Sequence, residues 1–412
     1  MRLRLLIVAF AASVAAGLLA ATTSPASGGD AILVAPANPD GGTPQFTTNG
    51  GVLPLRTMRT VPYWTSSFTD PTNGATYPFT MVGTSPSTLA GQVTTTVPTE
   101  IIPLKLKFVA GNQKVSALNF DTYVATAVAA SMDASGDAAS TASSPMFSPA
   151  DFPLSGDSGV QYGDAIMREQ FGKVGTGYHV GLGGPKILPT VTINVPQNQG
   201  VAVYNSRGVL VSRVDYNWFS AQLSNLLGQL HIDPRTLPVF LTHNAVLYSG
   251  NNYLACCVIG YHGASGSVSG NGSQAVQTYV YAAYLKPSTF SGFPDRGHGF
   301  SDIHGLSHEV SEWMGDPFTT NGVQPWFAST APQYGCTGLL ETGDPVLGYW
   351  FPLSGNPDAA AGNVWHPQDE VFLNWFARDG ESSALAPSDG RYTFMGSDLG
   401  GPLFTSPATG CG

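Results

Sequence analysis

The chain has 412 residues, 42% of them apolar and only 11% charged, which is enough to bury a sizeable core and too little charge for a disordered polymer. Seventeen Lys and Arg against 27 Asp and Glu leave a net charge of −10. That balance argues against nucleic acid, which is bound through cations, and against docking on an anionic membrane.

In chain order, Arg2 and Arg4 precede an apolar run over 5–21 and a stretch of small residues. This is the layout of a signal peptide over 1–26, so the mature chain is expected to be extracellular or periplasmic, with no membrane attachment after cleavage. Residues 27–59 lack periodicity and read as a linker or disordered arm. Residues 60–412 form the main region, with a β-rich part over 60–115 and a metal-site region over 160–400. The alternation of Leu104, Lys105, Leu106, Lys107 and Phe108 predicts a half-buried strand. A helix is expected over 121–132, a surface loop over 133–159 and a second helix over 161–171. Strands follow over 187–195 and 201–204, with 208–214 as a hairpin partner beyond the turn Asn205-Ser206-Arg207. Asp215 caps a helix whose Trp218, Phe219, Leu223, Leu226, Leu227 and Leu230 recur at helical spacing, so that stripe is core. Further strands are expected over 238–242, 245–249, 257–262, 276–285 and 349–351, and helices over 301–314 and 368–378. The 49 Gly and 31 Pro favour turns, and the class is α+β with a mixed sheet of short strands.

The four cysteines are Cys256, Cys257, Cys336 and Cys411, an even number that predicts two disulfides in an exported chain. Neighbouring cysteines bridge each other poorly, so Cys256 and Cys257 are each expected to reach Cys336 or Cys411. No CxxC spacing supports a tetracysteine zinc site.

The informative segment is His308-Glu309-Val310-Ser311-Glu312. On a helix, residues four apart share a face, so His308 and Glu312 can address one ion. Glu309 is rotated by about 100° and can serve as a general base toward water. This is the logic of the zinc-peptidase helix H-E-x-x-H with glutamate in place of the second histidine. The chain has few glutamates to spend, and placing two in five residues is hard to attribute to a solvated surface helix. Downstream, Glu341-Thr342-Gly343-Asp344 offers a third ligand, with Glu341 preferred to Asp344; a plain turn is the competing reading. Zinc is the first expectation for the ion, although one imidazole with two carboxylates also suits manganese or calcium. His262 either stabilises an oxyanion or satisfies a loop carbonyl. His304 would lie about 12 Å along the helix axis from Glu312, too far to share its ion. Asp316, before Pro317, reads as a turn residue at the helix end. Gly156-Asp157-Ser158-Gly159 imitates a serine-protease turn, but no histidine precedes it.

The run from Ser307 to Glu312 with Asp316-Pro317 resembles the H-E-x-x-E-x-x-x-[DN]-P signature of the phosphate-induced, EXORDIUM-like secreted proteins and their exported bacterial relatives. Gln161-Tyr162-Gly163-Asp164-Ala165, Gly260-Tyr261-His262-Gly263 and Glu341-Thr342-Gly343-Asp344 are similar to the same family, over roughly residues 60–400. The resemblance implies a zincin-like metal site at His308 and Glu312 with Glu341 or Asp344. The expected function is therefore an exported metal-dependent hydrolase of the zincin-like peptidase kind, acting on a peptide or cell-wall-associated substrate. In it His308, Glu312 and Glu341 hold the ion, Glu309 is the base and His262 meets the oxyanion. The alternative is a non-catalytic secreted or cell-wall-associated binding protein whose metal is structural.

Overall fold

The computed structural model describes residues 45–48, 51–54, 59–88, 93–118, 121–153, 156–171, 177–248, 256–268, 274–290, 300–327, 336–378, 391–396 and 411. The signal segment lies outside them. Of the arm before residue 60, the described part is Arg59 and an antiparallel pair of strands, Gln45–Thr48 with Gly51–Pro54.

Seven strands make the central mixed sheet: β1 (Thr99–Phe108), β2 (Ala130–Asp133), β3 (Lys186–Ile187), β4 (Val191–Asn194), β5 (Leu237–His243), β6 (Gly260–Val268) and β7 (Gln274–Tyr284). Strand β1 pairs in parallel with β5 on one edge and with β3 and β4 on the other, and its second half also takes β2 antiparallel. Strand β7 lies parallel to β5 and antiparallel to β6. The alternation read in β1 sorts its residues by face. Ile102, Leu104, Leu106 and Phe108 pack with Phe240, Tyr279 and Tyr281 on one side, whereas Ile101 packs with Val239, Leu241, Val280 and Ala282 on the other.

Five α-helices are described: α1 (Ser135–Ala142), α2 (Tyr162–Gln170), α3 (Tyr216–Leu230), α4 (His304–Gly315) and α5 (Leu373–Phe376). Helix α3 covers the Tyr279/Tyr281 face through Phe219, Leu223 and Leu226, and its Asp215 cap accepts from the Trp218 amide at 2.9 Å. Helices α2 and α4 cover the opposite face through Tyr162, Ala165, Ile166, Leu306, Val310 and Trp313. A mixed α/β architecture with many short strands is thus what the chain adopts, and the 161–171 and 301–314 helices fall where the sequence puts them.

Several expectations are corrected. The 121–132 segment is a strand, Asp121–Thr126, followed by β2; Thr, Tyr and Val favour pairing with Lys114–Leu118 over an isolated helical turn. The 133–159 loop contains α1, an Ala/Ser helix that buries Ala138 and Thr141, and a short hairpin at Ala150–Phe152 with Asp157–Val160. The 368–378 helix shrinks to α5, because tertiary partners hold the preceding residues extended. The Gln368 amide donates to Ser307 Oγ at 2.9 Å, Asp369 N to Tyr349 O and Val371 N to Thr342 O. The 349–351 strand reduces to a single bridge between Trp350 and Gln368. Cys336 and Cys411 are bonded to each other, with Cα atoms 6.1 Å apart, so neither reaches Cys256 or Cys257; Cys257 is itself oxidised. No described helix is long and apolar enough to cross a membrane.

Candidate metal centre

Helix α4 enters beneath the sheet through a fixed corner. Asp302 adopts φ +42°, accepts from the amides of Ile303 and His366 at 2.6 and 3.0 Å, and pairs with His366 Nδ1 at 2.6 Å. The helix leaves at Asp316, whose carboxylate accepts from the amides of Thr320 and Asn321 at 2.9 and 2.8 Å, as its reading as a turn residue requires. Between these anchors His308, Glu309 and Glu312 are at most 8% exposed.

The helical spacing brings His308 and Glu312 together as expected, with Nε2 3.2 Å from Oε2. Asp344 comes in at 3.7 Å from the same nitrogen. The ligand atoms of His308, Glu312 and Asp344 all lie within 4.8 Å of one another, and so do those of His262, Glu309 and Glu312. Glu312 belongs to both groups, whereas each histidine belongs to one. Glu341 enters neither. The turn between them is tied to the helix, Gly343 N donating to Glu312 Oε1 at 3.1 Å, and it is the following Asp344 that stands beside His308. Burial, then the charges of Glu312, Asp316 and Asp344, hold the Glu341 carboxyl well above the usual range.

The hydrogen bonds fix both imidazoles. Gln368 Nε2 donates to Gly343 O at 2.6 Å, so its Oε1 is the acceptor for His308 Nδ1–H at 3.1 Å. His308 Nε2 then faces Glu312, Glu309 and Asp344. On strand β6, His262 Nε2–H donates to the Asp316 carbonyl at 3.2 Å, and Nδ1 faces Glu309 Oε2 at 3.3 Å and Glu312 Oε2 at 3.7 Å. In this arrangement His262 stands beside the base, and its Nε2–H is already engaged. His304, one turn before His308, lies against Phe300 and belongs to neither group; burial lowers its pKa to about 3 and keeps it neutral.

The electrostatics describe a crowded acidic pocket. Burial raises Glu309, a tendency that the His262 hydrogen bond and His308 partly offset. Burial also opposes ionisation of Glu312, yet His308 and His262 outweigh it and bring that carboxyl below its usual value. Asp344, one third exposed at its side chain, is pushed up to about 7 by burial and by Glu312. In both histidines burial works against the charged ring, and the facing carboxylates reverse it, so each pKa is raised.

A divalent cation fits this donor set. Tetrahedral ligands about 2.0–2.1 Å from one ion stand roughly 3.3 Å apart, and the separations within the His308 group are 3.2 and 3.7 Å. Ring nitrogens that face carboxylate oxygens need positive charge between them, which a ring proton or a cation in its place supplies. The second sphere is that of a ligand histidine, its far nitrogen held by an amide oxygen.

Two glycines make the approach possible. A Cβ on Gly343 would collide with the His308 ring, and one on Gly260 would lie 2.5 Å from Glu309 Cγ. Gln368, Gly260 and the buried Glu370, which meets Tyr162 Oη at 3.1 Å, carry no sequence signal as site residues. Of the three, Gly260 alone lies in a run singled out from the sequence, Gly260-Tyr261-His262-Gly263. No family model, characterised protein or solved structure matches the chain.

Proposed function

We propose that the protein is an exported metal-dependent hydrolase of the zincin-like kind, cleaving peptide bonds, with a divalent ion, zinc first among them, held by His308, Glu312 and Asp344. The observation that carries this reading is the convergence of those three donors beside a fourth group, Glu309, that is not among them. When bound, the ion would supply Lewis acidity to polarise a carbonyl and to acidify water. Glu309 takes the proton: its raised pKa brings it nearer the range of an efficient general base. His262 orients that carboxylate through the 3.3 Å contact and is itself anchored on the Asp316 carbonyl. Gln368 holds the His308 ring to its tautomer. The likeness to EXORDIUM-like proteins supports the same kind of site, with Glu341 or Asp344 as its later acidic partner. Export is supported by the leader-like first 26 residues and agrees with the Cys336–Cys411 disulfide.

The test is metal analysis of the purified protein with hydrolysis of casein and peptide libraries, before and after chelation. His308→Ala and Glu312→Ala should each lose the metal; equal metal content in all three proteins sinks the proposal. A second reading, a non-catalytic secreted protein with a structural ion, is favoured by one observation. Glu309 is 4% exposed and already engaged by His262. Under that reading the ligand variants lose metal and thermal stability together, and no peptide is cut.

A further inference from the structure

His262, Glu309 and Glu312 act singly in the mechanism above, yet together they are built like the first donor group. His262 Nδ1 stands 3.3 Å from Glu309 Oε2 and 3.7 Å from Glu312 Oε2, and the three ligand atoms lie within 4.8 Å of one another. A backbone carbonyl accepts only, so the bond to Asp316 O places an N–H on Nε2 and leaves Nδ1 as the atom that faces the carboxylates. Nδ1 therefore faces two carboxylates in a pocket where the His262 side chain is 4% exposed and those of Glu309 and Glu312 are 5% exposed. Positive charge belongs there, and either a proton on Nδ1 or a cation in its place supplies it.

The same Glu312 oxygen, Oε2, faces His308 in the first group. The Glu309 carboxylate spans the two histidines, Oε2 toward His262 and Oε1 3.8 Å from His308 Nε2. Two imidazoles in separate groups joined by two carboxylates is the donor pattern of a two-ion site, in which shared carboxylates hold neighbouring cations. Three protein donors leave room for water on each ion.

We infer that His262, Glu309 and Glu312 form a second divalent-cation position, adjoining the one at His308, Glu312 and Asp344, and that its occupancy withdraws Glu309 from service as a base. This rests on the first position being a metal site. It makes the second ion a regulator of the same centre: the first activates, and the second shuts off proton transfer by taking the carboxylate that performs it. The second position is the weaker, because Glu312 already serves the first.

Zinc alone, titrated into the metal-free full-length chain and followed by native mass spectrometry and calorimetry, tests the inference. Wild type should take up two ions in two steps, and His262→Ala should take up one. Peptide hydrolysis by wild type should rise with the first equivalent and fall at least tenfold with the second. Saturation of wild type at one ion overturns the second position while leaving the first intact. Uptake of two ions by His262→Ala, or two bound ions with undiminished hydrolysis, overturns it as well. A wild type that binds no zinc fails at the earlier proposal. Should His262→Ala not fold, His262→Gln replaces it, and the wild-type stoichiometry decides alone.

Discussion

Helix α3 buries four of its fifteen residues against one face of the central sheet, and helix α4 buries all twelve of its own against the other. Those four are Phe219, Ser220, Leu223 and Leu226, an amphipathic stripe with an Asp215 cap and no carboxylate, lysine or histidine in the helix itself. Helix α4 instead carries His304, His308, Glu309 and Glu312 inside. Its apolar residues do the same packing as those of α3, so its buried charges are not needed to hold the sheet. Burying an ionised group costs several kcal/mol unless it is compensated. Helix α4 carries this cost on its face of the sheet and helix α3 does not on the other.

The comparison can be broken or sharpened in order of expected effect. Glu309→Gln keeps shape and removes the base, so turnover should fall by about 10²–10⁴-fold with metal content unchanged; a fall below threefold would show that α4 does no proton transfer. Leu223→Ala in α3 should cost roughly 2–5 kcal/mol in denaturant unfolding while zinc affinity stays the same. Loss of metal in that variant would mean that the two faces are not separable. Gln368→Ala frees the His308 ring and should weaken zinc binding by about 10–100-fold, read by competition with a chelating dye.

The smallest effect is on pH. Burial raises Asp369 from 3.8 to about 7 and Asp316 to about 6. A carboxyl raised on folding holds its proton more tightly in the native state, so its stabilisation is complete at low pH and is lost as pH climbs through the raised value. Glu312, lowered on folding, acts in the opposite sense. In EDTA the melting temperature should therefore fall between about pH 4 and 7, with the same slope in Leu223→Ala and a shallower one in Asp369→Asn. A melting temperature that rises over that window would show these carboxyls to be ionised in the fold.

What the sequence made legible follows the same division. The α3 face could be read from periodicity and a cap, because amphipathic burial leaves a repeating pattern. The H-E-x-x-E pair on α4 was legible because i and i+4 share a face whatever surrounds the helix. The partners were not. Asp344 rather than Glu341 lies beside His308 and Glu312, in a turn tied by a hydrogen bond from Gly343 to Glu312, a contact between positions 31 residues apart that no local pattern encodes. Gln368 sits in a stretch whose helical periodicity is overruled by Ser307 and Thr342. The 121–132 helix failed for a related reason: pairing with 114–118 and with β1 decides that segment, not its own propensity.

The alternation along β6 has one more consequence. Gly260 and His262 point toward α4, whereas Tyr261 points the other way, where its hydroxyl meets Ser220 at 3.0 Å. Sliding β6 by a single residue along β7 would turn the tyrosine into the acidic pocket and strand the imidazole among Tyr216, Tyr279 and Tyr281. Length and composition are thus unequal currencies here: exchanging one small side chain for another farther along the strand leaves the frame intact. Deleting one residue between Gly260 and His262 reverses inside and outside for the very atoms that face Glu309.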